Sequence, residues 1–504
     1  MTAKDGGATT ANDTFGSGDV PGEGSASGRS SASGRAAASE HGSTSGEGRA
    51  LGPGSSRAVG GESIWANRDY VRWLIGDTTG MIGRTFSLFI VSFVVYDLTG
   101  SEGSAGLLQT IILVIMLVAS IPGGVITDRS DRRRLIYLYS IFASVVSAGI
   151  FLYVFTGHLT YLSFVVLMSI LALVHGFFGE ATNAALRSIV SGTGFVKAQA
   201  ANQGRDAAVH LAGRPLSGLF YGFFPWLPYL ISTVFLAVQG FAFSRIERSL
   251  VPRVDEKKTA EVPATESPTG EVPTIEHEAI VGEPSLSAGE GEPVKRPSMI
   301  ADFVLGLRYM ASRKTILILS VVITLINFGI AGIQALMVLS LIAQGYPAVE
   351  VGYLGAATGI ALILVSTVAG RVAEKLPTGL IAILTLVWYT LCSIPLVFSD
   401  NYWVMMGCSF ALGLGIPIAN AAMLGYILGR TPESFQGRVS SLINIVAQAL
   451  SAFAPLIAGI ILEAYNSSLV AVIFTGVTLA SLVIGLLSRR VRAIPAPADW
   501  EKYE

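Results

Sequence analysis

The sequence predicts an all-α membrane protein with twelve transmembrane helices in two six-helix bundles. Three observations carry this reading. Apolar runs of membrane-spanning length recur twelve times, basic residues gather at every second connection between them, and a polar acidic stretch divides the runs six and six. Composition agrees, with 51% of the 504 residues hydrophobic and 14% charged, whereas soluble domains carry roughly 25% charged residues. The net charge of −1 says nothing about nucleic acid, and no nucleic-acid partner is expected. Cys392 and Cys408 both fall in apolar runs, so neither a disulfide framework nor a metal site is implied.

In chain order, residues 1–62 are dominated by Gly, Ser, Ala and Thr, which bury too little apolar surface to offset the entropy of ordering. They are expected to form a disordered cytoplasmic tail without a cleavable signal, because no apolar h-region precedes Ile64. The first bundle occupies 63–246, with spans at 70–98, 102–127, 133–156, 159–188, 198–221 and 223–244. Residues 247–297, rich in Pro, Glu and Thr, read as a disordered acidic linker. The second bundle, 298–491, opens with a short interfacial helix capped by Ser298. Its spans follow at 313–343, 348–371, 376–398, 402–429, 435–462 and 467–489, before a cytoplasmic tail at 492–504. A hydrocarbon core of about 30 Å needs about 20 helical residues, which these spans supply.

The basic residues give the orientation. Arg68, Arg72, Arg129, Arg187, Arg245, Arg371, Arg430 and Arg489 all lie at ends that an alternating path places on one side, while the loops around Gly100, His158, Phe224, Tyr346, Asn401 and Tyr465 hold no Lys or Arg. Basic residues in short loops resist translocation, so the arginine-bearing side is expected to be cytoplasmic and both termini to lie there.

The turn between spans 2 and 3 concentrates this signal: Gly124-x-x-x-Asp128-Arg129-x-Asp131-Arg132-Arg133-Arg134. Glycine at 124 lets two helices approach closely, a carboxylate at 128 suits the positive end of a neighbouring helix, and the arginines can pair with carboxylates or lipid phosphates. This string resembles the signature between helices 2 and 3 of the major facilitator superfamily, with Asp131 standing where the family pattern has Gly. Gly370-Arg371-Val372-Ala373-Glu374-Lys375 occupies the corresponding place in the second half, as a degraded copy. The resemblance implies a parallel repeat of six helices with a substrate cavity between the halves near mid-membrane. It also implies a gating role for Gly124, Asp128, Arg129, Arg132 and Arg133, docking against the helix-11 start that carries Gly437 and Arg438.

Ionisable residues inside the spans cluster in the first half: Asp77 and Arg84 on span 1, Glu180 on span 4, and Arg205, Asp206, His210 and Arg214 on span 5. Each costs on the order of 2.5–3.5 kcal/mol to insert, so each should face a partner or a water-filled cavity. Asp77, Arg84, Glu180, Arg205, Asp206 and His210 are therefore candidates for proton coupling or for binding a charged substrate in the central cavity. The alternative is a set of buried ion pairs that holds the first half together. The second half offers neutral groups, Asn327, Gln334, Asn420, Asn444 and Gln448, as substrate contacts or as interhelical hydrogen bonds.

Arg214-Pro215-Leu216-Ser217-Gly218 resembles part of the Gly-Pro-x-x-Gly motif of antiporter-type members, with Arg214 in place of the first glycine. Asn67-Arg68-Asp69-Tyr70 and Thr431-Pro432-Glu433-Ser434-Phe435-Gln436-Gly437-Arg438 are similar to bacterial members of the drug and siderophore exporter branch. No nucleotide-binding loop, catalytic nucleophile, metal set or cofactor motif is present, so an enzyme is not expected. The expectation is a monomeric, proton-coupled exporter of small, partly hydrophobic compounds in the cytoplasmic membrane, partnered by substrate, protons and lipid. An importer or lipid-moving protein of the same fold, or a transport-inactive sensor or scaffold, are the alternatives.

Overall fold

The computed structural model describes residues 64–502 apart from 180, 191–192, 248–249 and 251–298. The tail 1–62, nearly all of the linker 247–297, Glu180 and the Ser298 cap lie outside the described residues, as do the side chains of Asp128 and His210.

The first half runs through α1 (Arg68–Phe89), α2 (Val91–Thr99), α3 (Glu102–Arg129), α4 (Arg132–Phe155), α5 (Tyr161–Phe178), α6 (Ala181–Ile189), α7 (Thr193–Phe223) and α8 (Leu227–Ser244). The second begins with α9 (Met299–Ser312), α10 (Lys314–Ala343), α11 (Ala348–Lys375), α12 (Thr378–Ser393), α13 (Pro395–Phe398) and α14 (Tyr402–Ala419). It ends with α15 (Gly425–Gly429), α16 (Glu433–Ser451), α17 (Ala454–Ala464), α18 (Ser467–Leu487) and α19 (Arg489–Arg492).

Local chemistry sets the helix ends. Asn67 Oδ1 accepts from the backbone N–H groups of Asp69 and Tyr70 at 3.0 and 3.2 Å, satisfying donors that the first turn of α1 leaves open. Ser101 does the same for α3 and Thr160 with Ser163 for α5. Gly100, Gly157 and Gly345 adopt φ of 64°, 70° and 80° in three hairpin turns, a conformation that a β-carbon disfavours. All three lie on the face opposite the Asp128–Arg134 turn. The latter side is called the arginine face below.

Among the described residues, eleven segments are long and apolar enough to cross a membrane, from Arg68–Thr99 to Ser467–Leu487. The twelfth crossing is α7, whose 31 residues extend about 46 Å at 1.5 Å per residue. It fails the apolarity test because Lys197, Arg205, Asp206 and Arg214 lie along it. Large apolar side chains cover the outer surface of the bundle, Val145, Leu162 and Phe241 among them, as a lipid-facing surface requires.

Five predicted spans are interrupted, among them span 9 at Ile394 between α12 and α13 and span 11 at Ala452 and Phe453 between α16 and α17. Span 1 breaks between α1 and α2 at Ile90. Span 4, expected to run unbroken over 159–188, ends at Phe178 and continues as the separate α6. Span 10 contains a π-helical turn, Asn420–Leu424, three residues beyond Pro417. Proline has no N–H for the helix ladder, and a π turn absorbs that local mismatch.

The halves meet tightly on the face opposite the arginines. There α3 packs along α17 and α7 along α11. The approach is close because glycines line it: a β-carbon on Gly106 would sit 2.2 Å from Pro455 O, and one on Gly459 would sit 2.4 Å from Glu102 O. Glu463 reaches across to the start of α3, accepting from Ser101 Oγ at 2.7 Å and Gly103 N at 2.9 Å, and Leu456 N donates to Thr110 Oγ1 at 3.1 Å. A carboxylate at a helix N-terminus meets both open N–H donors and the positive end of the helix dipole. On the arginine face the contrast is plain, since β-carbons on Gly124 and Gly437 would meet nothing within 4 Å among the described residues.

Candidate functional site

Of the charged residues of the first half, the structure brings Asp77, Arg205 and Asp206 together. Asp77 and Arg84 are seven residues apart on α1, yet each finds a partner on a different helix. Asp77 Oδ2 lies 2.7 Å from Arg205 Nη2 on α7, with the aspartate side chain only 8% exposed. Arg205 also holds Asp206, through Nε at 2.9 Å and Nη2 at 2.6 Å, so one guanidinium bridges two carboxylates. Its Cζ stands 5.6 Å from the centre of the Trp73 ring, a cation–π arrangement. Trp73 is itself fixed by donating Nε1–H to Thr182 O at 3.0 Å.

Asp206 is the more open carboxylate, at 41% side-chain exposure. With both aspartates ionised the triad carries one net negative charge, and a single proton makes it neutral. Protonation of Asp77 would still leave Arg205 paired with Asp206. Either aspartate alone would spare Arg205 from standing as a bare charge in the membrane.

Arg84 lies deeper, donating from Nη1 to Tyr139 Oη on α4 at 3.3 Å. The Tyr139 ring lies 5.6 Å from the His175 ring on α5. His175 is 2% exposed, and neither ring nitrogen has a hydrogen-bond partner among the described residues. Sequence reasoning passed over His175 and attended to His210; the available signal was a single imidazole within the apolar run 161–178.

The turn between α3 and α4 is anchored to its own half. Arg132 Nη1 donates to Ala184 O and Ser188 Oγ on α6 at 3.1 and 2.8 Å, and Arg133 Nη2 donates to Ser244 O at the end of α8 at 2.6 Å. Asp131 is the N-cap of α4, accepting from Arg133 N at 3.0 Å, so the departure from the glycine of the family pattern supplies a capping carboxylate. Arg129 is exposed. Arg438 lies over Phe435, its Cζ 5.4 Å from the ring centre, and its backbone packs against Gly306 of α9.

Among the described residues, the five candidate amides of the second half do not join helices. Asn327 donates back to Ile323 O in its own helix at 2.7 Å. Gln334, Asn420, Asn444 and Gln448 make no hydrogen bond among the described residues, and the last three are exposed along their helices. Among the described residues no group of three metal-ligating side chains gathers.

A bundle of twelve crossings, closed on one face by a glycine-lined seam between its halves and holding a buried charge cluster in the first, has the form of a membrane solute transporter. Residues 74–347 and 317–503 match the family model of the Major Facilitator Superfamily, and the chain belongs to that family. No curated protein sequence matches it. Among solved structures it is similar to a mutant form of the nucleoside transporter NupG, at TM-score 0.58 and 9% identity over 84% of this chain and 99% of that one. A bacterial homologue of the iron transporter ferroportin in an inward-facing state gives 0.58 and 12%, over 84% and 99%. A bacterial homologue of the human lysosomal transporter Spinster, inward-facing and unoccupied, gives 0.57 and 14%, over 86% and 97%.

Proposed function

We propose that the protein exports small, partly hydrophobic compounds across the cytoplasmic membrane, driven by protons. The observation that carries the reading is the buried Asp77–Arg205–Asp206 triad. Its single-proton charge balance suits a carrier that must be neutral in one step of its cycle and charged in another. The arginine face is then the cytoplasmic one, by the preference of basic loops for that side. With the seam of α3, α7, α11 and α17 closed, the arrangement is the cytoplasm-open member of an alternating pair. Rocking of the halves about a central site would open the seam and bring Gly124 and Asp128 toward the start of α16.

The test is dye retention in cells with and without the protein, across a panel of neutral, cationic and anionic amphipathic dyes, before and after a protonophore. Lower retention that the protonophore reverses is the expected result. Equal retention in both strains for every dye would overturn export, and reduced retention indifferent to the protonophore would overturn proton coupling.

A further inference from the structure

Arg214 lies inside the membrane-crossing part of α7. It lies about 13 Å in from the Phe223 end of α7, at 1.5 Å per residue, and has neither an ion pair nor a hydrogen bond among the described residues, although its side chain keeps exposed surface deep within the protein. The surroundings of α7 show which way that surface points. Leu211, Pro215 and Gly218 face α11, where they meet Gly359, Gly352 and Ala348. Gly213 and Ser217 face α1, the first against Thr85 and the second donating to Phe86 O at 3.0 Å. Ala212, Leu216 and Leu219 form the exposed apolar stripe of the outer surface. At 100° per residue Arg214 falls on the remaining arc, opposite that stripe, which is the inner side of the seam between the halves.

The family-like motif has glycine at this position. Here the small residue is on the partner helix instead: a β-carbon on Gly355 would lie 2.5 Å from Arg214 Cδ and 3.2 Å from its Nη1. The arginine stem therefore lies flat across α11, and its guanidinium is held at the contact of the two halves. A cation at this depth without a counter-charge is costly to hold in the membrane, a cost that an arriving anion would offset. A guanidinium presents a planar fork suited to carboxylate, sulfonate or phosphate oxygens.

We propose that Arg214 binds an anionic group on the transported compound, so that the substrates are amphipathic organic anions. The proposal rests on the exporter reading and names its substrate class. A compound held at Arg214 touches α7 and α11 together, and its arrival is sensed by both halves at the seam.

The test uses a matched pair of probes, naphthalene-2-sulfonate and the neutral naphthalene-2-sulfonamide, with the full-length protein in lipid nanodiscs and thermal stabilisation as readout. The wild type is expected to respond to the sulfonate at concentrations about tenfold lower than to the sulfonamide, as a charge-assisted contact predicts. Arg214→Gln should erase that preference while leaving the sulfonamide response unchanged, and Arg214→Lys, which keeps the charge, should retain part of it. A wild type without preference, or Arg214→Gln with the wild-type preference, overturns the proposal. Dye export in cells separates the two readings: continued export with an unaltered sulfonate preference in Arg214→Gln removes the anion site alone. Loss of the preference in a protein that exports nothing removes the exporter reading and leaves the site.

Discussion

Replacing Asp77 with Asn is expected to uncouple the protein. The substitution keeps the size and one carbonyl oxygen but removes the proton-binding group whose Oδ2 lies 2.7 Å from Arg205. Removing one member of a buried pair commonly costs about 3–5 kcal/mol, because the other charge is left alone. Here Asp206 remains 2.6 Å from the same Nη2, so the cost is smaller and the variant should insert and remain folded. Its proton-driven dye extrusion should fall at least about tenfold, the factor equivalent to ~1.4 kcal/mol, while equilibration of dye down its own gradient persists. Asp206→Asn should act in the same direction more weakly, since the more exposed carboxylate is less dependent on the pair. Wild-type extrusion in Asp77→Asn, at matched expression, would reduce the triad to a structural clamp.

Replacing Gly459 with Leu should change the balance of access states. The new β-carbon would lie 2.4 Å from Glu102 O and 3.2 Å from Gly103 Cα, both backbone atoms that cannot rotate away. The only relief is separation of α17 from α3, which also draws Glu463 off the start of α3. Overpacking of this kind costs about 1–3 kcal/mol, here charged against the closed seam alone, and a bias of that size shifts a two-state equilibrium by about 5- to 150-fold. The expected result is a folded protein with strongly reduced turnover and a cysteine at Thr110 newly reactive from the seam side. Normal turnover with position 110 still protected would show that the seam is not a gate.

Much of the fold was legible because a bilayer imposes it. Spans need length and apolarity, and arginines mark one side, so even the polar α7 could be placed by its position between two recognisable turns. The interruptions were harder to read: nothing in the sequence between Leu159 and Ser188 separates a continuous span from one broken after Phe178. The candidate site was legible as an inventory and not as a set of pairs. The sequence placed Asp77 and Arg84 on one span, but a pairing such as Asp77 with Arg205 depends on which helices are neighbours in the bundle, a property of tertiary packing. His175 carried no periodic partner to draw attention to it. Gly106, Gly352, Gly355 and Gly459 looked like any glycines in apolar runs, although they set how closely the halves approach.

Spin-label distances test the central claim of proton-linked alternation most directly. One pair, at Ser130 and Lys375, joins the two halves across the arginine face; the other, at His158 and Asn401, joins them across the opposite face. With a transported dye present, lowering the pH should move the two distances in opposite senses. Asp77→Asn should hold both at one limit regardless of pH. Distances that stay fixed across the pH range in the wild type, or that move identically in Asp77→Asn, would contradict it.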